Sequence, residues 1–218
     1  MRRVLTTSVL SLVFCWISSA DAQVCSGELS FAVVPVRALV GIGLTSTTQT
    51  YQVGARLGQR HLFGEAEIGI ASHDGVGSAL AYGAGLGAQL GGHDARVQLC
   101  PMVSLGFTHG PNDIAGTGID YRENHVAVGA DFGIVLLRRK STQLAATSSF
   151  AVVNTHYKLS STSGDSTARD NWSVLALGLG LGLNDHVTVS PFVGFPFGLR
   201  GAETLYGMGI TMKIGRTR

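Results

Sequence analysis

The sequence predicts an all-β fold, a closed antiparallel transmembrane β-barrel of about 10 strands, with eight as the alternative count. Two features of the sequence pattern predict this fold. The first is that apolar residues alternate with glycine, alanine and polar residues in many short stretches. The second is that no segment has the period of an amphipathic helix. A third observation is composition, because 30 of the 218 residues are glycine and only 14% are charged.

The alternation is clearest between Leu175 and Leu183, where every second residue is leucine and the residues between are alanine or glycine. The stretches that begin at Ser78 and Ala95 repeat this pattern. A soluble sheet would set polar side chains against its apolar face. In hydrocarbon a sheet must close on itself to pair its backbone. We therefore expect the apolar rows to face lipid and the small residues to face a narrow lumen.

Turn residues between the apolar stretches divide the chain into ten strands. We expect strands at residues 30–43, 49–57, 62–72, 78–91, 95–109, 123–138, 143–159, 171–183, 186–197 and 203–214. Tight turns are predicted at Gly58–His61, Gly91–Asp94, Arg138–Ser141 and Asn184–Asp185, and longer outer loops at Thr45–Thr48, His73–Gly77, Gly110–Arg122, Ser160–Asp170 and Leu199–Ala202. An even number of strands returns both termini to the periplasm. Eight strands is the alternative because the first stretch alternates least regularly.

The N-terminus has the features of a secretory signal peptide. Arg2 and Arg3 precede the apolar run Val9–Ile17, which is shorter than the roughly 20 residues of a spanning helix. Ala20-Asp21-Ala22 is a small-x-small cleavage site, so we predict a signal peptide at residues 1–22 and a barrel domain at 23–218, with a signal anchor as the alternative. The mature chain then has 14 basic and 13 acidic residues, without the basic surface that nucleic-acid binding needs.

Two cysteines remain after cleavage, Cys25 and Cys100. An even pair in an exported chain favours one disulfide. Cys100 shares parity with Gln98 and follows the turn at Gly91–Asp94, so we expect it in the lumen on the periplasmic side. The bond would tie the N-terminal segment into the periplasmic mouth. Two free thiols and a lipidated Cys25 are the alternatives.

Five charged residues have the parity of the lumen face. They are Arg56, Glu65, Glu67, Arg96 and Asp131. Buried charges need partners, so we predict that the three carboxylates pair with Arg56, Arg96 or Arg37 in a network that plugs the interior. A conducting path lined by these charges is the alternative, although small barrels leave little room beyond their side chains.

Histidines and aspartates lie near the predicted outer rim. They are His73, Asp74, His109, Asp113, Asp120, His125, His156 and Asp170. A rim-located enzyme would need a histidine, an orienting carboxylate and a nucleophile within hydrogen-bond reach, and the spacing specifies none. No pair has a metal-ligand spacing, and no helix follows the glycine-rich stretches as a phosphate site requires. We therefore assign no catalytic, cofactor-binding or metal-binding residue, and no cofactor.

The signal peptide, the alternation, the glycine-rich strands and the rhythm of turns and loops resemble the family of small bacterial outer-membrane β-barrel proteins, similar in plan to OmpA- and OmpX-like barrels and other porin-family proteins. The resemblance implies the bacterial outer membrane, contact with its lipid and insertion by the barrel assembly machinery. It implies a structural or surface-interaction role with an unknown surface partner. A small pore for ions or solutes and a rim-located outer-membrane enzyme are the alternatives. The chain departs from the family by ending in GMGITMKIGRTR, without a C-terminal aromatic residue.

Overall fold

The computed structural model describes residues 25, 36–59, 61–90, 95–112, 114, 117–139, 141–183, 186–199 and 202–214. Ten strands make up the sheet. They are β1 (Val36–Leu44), β2 (Thr48–Gln59), β3 (Leu62–His73), β4 (Gly77–Ala88), β5 (Val97–His109), β6 (Asp120–Arg139), β7 (Thr142–Ser161), β8 (Gly164–Leu183), β9 (Val187–Phe197) and β10 (Leu205–Lys213). The predicted signal peptide and the turns at Gly91–Asp94 and Asn184–Asp185 lie outside the described residues.

The sheet closes into a barrel. Each strand pairs antiparallel with its sequence neighbours, and β1 pairs with β10 from Arg37↔Lys213 to Leu44↔Tyr206. Closure pairs the backbone of both edge strands, which an open sheet would leave exposed. The prediction of an all-β closed barrel of ten strands is confirmed.

Among the residues that the structure describes, no helix is long and apolar enough to cross a membrane.

Large apolar side chains cover the outer surface. The exposed ones include Val40, Val53, Ile68, Leu80, Leu86, Val103, Leu105, Val128, Phe150, Leu177, Leu179 and Met212. Leu179 is the middle leucine of the row on β8 and is 47% exposed. Successive side chains of a strand point to opposite faces, so the glycines beside Leu179 lie on the lumen face. An apolar surface of this extent is not that of a monomeric soluble protein.

The barrel has two different ends. The turn end carries the start of β1 and the connections β2–β3, β4–β5, β6–β7 and β8–β9, and it corresponds to the predicted periplasmic side. The loop end carries the other connections. At the loop end, β6, β7 and β8 are 20 residues long and extend past their neighbours. We call Asp120–Asn124, Asn154–Ser161 and Gly164–Asn171 the protruding sheet.

Two of the predicted outer loops are therefore wrong in part. β6 already begins at Asp120, inside the predicted loop Gly110–Arg122. The predicted loop Ser160–Asp170 is a hairpin in which only Thr162 and Ser163 connect β7 to β8. Strands that leave the apolar layer carry polar residues on both faces, so the alternation that identifies the other strands is absent there.

One β-bulge interrupts the wall. Val135 pairs with Ala145 and Leu137 pairs with Leu144, so Leu136 is an extra residue in β6. Val135 packs against the buried Ala145 inside the barrel, whereas Leu136 and Leu137 are both exposed. The bulge thus inverts the facing of the last residues of β6.

Candidate functional site

Two charged residues of the lumen wall form a close ion pair. Arg56 on β2 and Glu65 on β3 are register partners, and the Arg56 Nε donates a hydrogen bond to Glu65 Oε2 at 3.0 Å. Both side chains are largely shielded from solvent. Both residues belong to the predicted charge network.

Glu67 lies two residues further along β3, toward the loop end. The close contact of Arg56 is with Glu65, so the pairing of Glu67 with an arginine stays a prediction. Its side chain is exposed to the lumen. It lines a cavity of about 330 Å³ together with Glu65, Ser104 and His125. The lumen is therefore not filled with side chains at this level.

Glycines make the room for large lumen side chains. A β-carbon added at Gly106 on β5 would overlap the ring of His125 on β6, which lies directly over it. A β-carbon at Gly87 on β4 would in the same way overlap the ring of Phe63 on β3. Glycines on the lumen face thus have a second cause besides the narrow lumen, since glycines such as Gly87 and Gly106 make room for a neighbour's side chain.

A hydrogen-bonded layer lies above the cavity at the loop end. The Tyr121 hydroxyl donates to Glu123 Oε2 at 2.5 Å, and His125 Nδ1 lies 3.5 Å from Glu123 Oε1. The neighbours of Glu123 on the outer face, Arg122 and Asn124, are polar, so this layer lies outside the apolar belt. Burial raises the pKa of Glu123, but the hydrogen bonds from His125 and Tyr121 outweigh it and hold that pKa below its ordinary value.

The turn end of the lumen is closely packed. Cys25 and Cys100 form a disulfide with a Cα–Cα distance of 5.7 Å, and both residues are 0% exposed. They cluster with Phe63, and the buried Gln98 lies beside Cys25. The other buried polar side chains at this end are Arg37, Gln89, Asp131, Thr188 and Thr211. The predicted disulfide is present in the structure, on the predicted side of the barrel.

The predicted charge network is not one cluster. Asp131 is buried beside Cys100, its register partner, at the turn end, away from the cavity of Glu67. Arg96 precedes β5, and its carbonyl accepts a hydrogen bond from Val135 N. The Arg96 side chain is exposed, and its place in the network stays a prediction. The strand begins two residues later than the predicted 95–109.

The rim histidines are dispersed. His73 Nδ1 lies 2.7 Å from Thr48 Oγ1, and the ring of His109 stands edge-on to Tyr82. His156 belongs to the protruding sheet, and Asp113 lies outside the described residues. His125 has a carboxylate partner in Glu123, but in the described chain no hydroxyl lies within hydrogen-bond reach of its ring. The described residues thus place a hydroxyl beside His73 and a carboxylate beside His125, but not both beside one ring.

The described ranges contain no group of three or more His, Cys, Asp and Glu side chains arranged to hold a metal ion.

The protruding sheet has a free edge on β8. The pairing of β8 with β9 ends at Ser173↔Phe197, whereas its pairing with β7 continues to Ser161↔Gly164. Gly164–Asp170 thus has a partner strand on one side and, among the described residues, none on the other. Ser161 and Gly164 flank the two-residue turn, and such a pair exchanges both of its backbone hydrogen bonds. Every second residue of β8 counted from Gly164 therefore hydrogen-bonds to β7. The residues between them, Asp165, Thr167 and Arg169, direct their backbone groups away from β7.

Sequence reasoning did not identify the contact that orders the first loop. Glu203, in the connection before β10, accepts hydrogen bonds at 3.1 Å from both the backbone N–H and the hydroxyl of Thr47. Hydrogen bonds from Ser46, Thr45 and Thr47 lower the pKa of Glu203 to about 2. In the sequence, the sign of this contact is Glu203 in one polar loop and the hydroxyl residues Thr45–Thr48 in another. The sequence does not indicate that the two loops are neighbours, because closure of the barrel brings them together.

Comparisons with known proteins find likeness in structure. No family model matches the chain, and no curated protein is similar to it in sequence. The N-terminal β-barrel domain of OprF from Pseudomonas aeruginosa is similar over 82% of this chain and 96% of that one, with 11% identity and a TM-score of 0.43. Ail, the attachment invasion locus protein of Yersinia pestis, is similar over 83% and 99%, with 8% identity and a TM-score of 0.42. Neisserial surface protein A is similar over 82% and 94%, with 8% identity and a TM-score of 0.39.

Proposed function

We propose that the protein is an integral barrel of the bacterial outer membrane that binds a surface partner through the free edge of its protruding sheet. The closed barrel and its apolar outer surface support the location, because a spanning sheet needs paired edges and lipid-compatible side chains. The turn end then faces the periplasm and the loop end faces outward. The assembly machinery of that membrane is the partner that would insert it.

The observation that carries the binding role is the unpaired edge at Gly164–Asp170. Unpaired N–H and C=O groups on an edge strand are a template for an added strand, which soluble domains usually cover or shorten. Here the edge is seven residues long and stands clear of the apolar belt. An extended segment of another protein would bind to it by main-chain hydrogen bonds, and side chains such as Arg169 and Asp170 would select the sequence.

A conducting role has less support. At the turn end the lumen contains the disulfide, Phe63, Gln98 and other side chains that are almost completely buried. Water-filled barrels have many more strands than ten, whereas barrels of about eight leave room for side chains or for one small ligand. We propose that the protein is not a general pore. Purified protein in planar bilayers should produce no stable channel steps, and regular steps would favour the pore.

Location is tested by cell fractionation with a heat-modifiability gel. The protein should fractionate with the outer membrane and migrate differently before and after boiling. Recovery in the periplasm or the inner membrane would contradict the proposal.

The edge is tested by a proline on β8. Thr167→Pro removes a free-edge N–H without removing a hydrogen bond to β7. Thr167→Ala is the matched control, since it loses the same side chain and keeps the N–H. Cells displaying each variant are tested against an array of purified extracellular proteins and strand-forming peptides. Ligands should bind the wild type and Thr167→Ala but not Thr167→Pro. Equal binding by all three would exclude the edge as the binding element.

A further inference from the structure

Two cavities of the lumen share part of their lining. The 330 Å³ cavity beside Glu67 and a second cavity of about 150 Å³ share Thr50, Gln52 and Leu205 as lining residues. The second cavity extends toward the turn end, to Arg56 and Thr211. We call the two together the lumen cavity. Below it lies the packed layer around Cys25 and Cys100, so a ligand would enter from the loop end.

The charge of the lumen cavity is negative. Its charged lining residues are Arg56, Glu65 and Glu67, with His125 as the titratable neighbour. Arg56 is engaged by Glu65 at 3.0 Å, so one carboxylate offsets the guanidinium. Glu67 is the carboxylate left over, and it is exposed to the cavity without an ion pair in the described chain. A carboxylate in a confined site attracts a cation more strongly than one on an open surface.

A polar atom at the deep end points independently to a ligand. Thr211 is 2% exposed, and among the described residues its buried Oγ1 has no hydrogen-bond partner. It lines the second cavity, and Glu67 lines the first. A buried hydroxyl without a partner costs free energy, so the site is complete only when another polar group reaches it.

Apart from the Arg56–Glu65 pair, most of the remaining lining is apolar or neutral. Ala71, Ala81 and Leu205 supply apolar surface, and Gln52 and Ser104 supply neutral hydrogen-bonding groups. Binding sites for small molecules combine such apolar walls with a few placed polar groups. The walls suit a short methylene chain between a charged head and a polar tail.

We propose that the lumen cavity binds a small organic cation, an ammonium or guanidinium on a short apolar stem that ends in a neutral polar group. The cationic head pairs with Glu67, and the tail hydrogen-bonds to Thr211 Oγ1. Arg56 excludes a second positive charge from the deep end. The site is separate from the edge of β8 and takes a different class of ligand.

The test uses three probes of nearly equal size, 4-aminobutan-1-ol, butane-1,4-diol and 4-hydroxybutyrate. Each is titrated into the full mature protein in detergent micelles, and binding is measured by calorimetry and by amide NMR shifts. The amino alcohol should bind and shift the amides around Glu67 and Thr211. The diol and the anion should bind at least about tenfold more weakly. Equal binding of the diol, or no binding of the amino alcohol, would overturn the proposal.

Two variants locate the contacts. Glu67→Gln keeps the shape and removes the charge, so the affinity for the amino alcohol should fall by about tenfold. Asp74→Asn, which removes an exposed carboxylate of the connection between β3 and β4, should leave the affinity unchanged. Thr211→Val keeps the charge and the shape of the site. It should weaken the binding of the amino alcohol but not that of n-butylamine, which has no tail hydroxyl. If Glu67→Gln does not give a heat-modifiable barrel, the test rests on Thr211→Val alone. An unchanged affinity of Thr211→Val for the amino alcohol would then refute the site.

Discussion

The carbonyl oxygen of Phe150 on β7 occupies the place where a side chain at Gly129 on β6 would begin. The strands approach so closely here that a β-carbon at 129 would also lie 2.8 Å from the α-carbon of Ala151. Backbone atoms of a closed barrel cannot move aside as the tip of a side chain can.

Gly129→Ala should therefore destabilise the barrel by about 1–3 kcal/mol, the usual cost of overpacking. Gly209→Ala is the control, because a β-carbon there would meet only Leu39 Cδ1, at an ordinary 3.7 Å. Urea unfolding of both variants in detergent micelles measures the difference. Equal stability of the two variants would contradict the close approach.

Leu179 should face the middle of the lipid layer. Replacing it with arginine should destabilise the inserted barrel by about 2–4 kcal/mol, as charges do at the midplane. Ala168→Arg, on the same strand but in the protruding sheet, should change the stability little. Unfolding from lipid vesicles gives the comparison. An inserted, heat-modifiable Leu179→Arg protein of wild-type stability would mean that this row does not face lipid.

The disulfide between Cys25 and Cys100 closes a loop with a sequence separation of 75 residues. Cys100→Ser should lower the free energy of unfolding by about 2–4 kcal/mol, because a cross-link restricts the unfolded chain. Mass spectrometry of the unreduced mature protein provides the direct check. Alkylation of both thiols without prior reduction would show that the bond does not form.

The order of the first loop should depend on the ionisation of Glu203. Its pKa is lowered from the ordinary 4.5 to about 2, so the ionised form is stabilised by folding. The contribution is fully present above pH 4.5 and is lost as the pH falls toward 2. The amide resonance of Thr47 should titrate with a midpoint near pH 2, and Glu203→Gln should abolish this titration. A midpoint near 4.5 would argue against the hydrogen bonds to Thr47.

The membrane-facing part of the fold could be predicted well from sequence, since lipid imposes one periodicity on every strand. The rows containing Leu86, Val103 and Leu179 face outward as their parity required. The protruding sheet could not be predicted in the same way, because water accepts polar side chains on both faces and Ser160–Asp170 has no apolar row. There the structure depends on pairing with β7.

The candidate site was only partly predictable. The alternation along each strand predicted that Arg56 and Glu65 face the lumen. The register of the hairpin formed by β2 and β3 makes them neighbours. The cavity beside Glu67 depends on which strands face each other across the lumen. Closure of the barrel determines that arrangement, and the sequence pattern of single strands does not indicate it. Arg96 precedes β5 rather than lying in it, because parity says nothing about where a strand begins.

The extra residue Leu136 also bears on how this wall tolerates changes in length. Deleting it would bring Val135 and Leu137 into consecutive pairs with Ala145 and Leu144, the partners they already have. The ladder would become regular, and no side chain on either side would change face. One-residue deletions elsewhere in a strand turn a lipid-facing row toward the lumen. Position 136 is thus a point where the strand can lose a residue without exchanging its two faces.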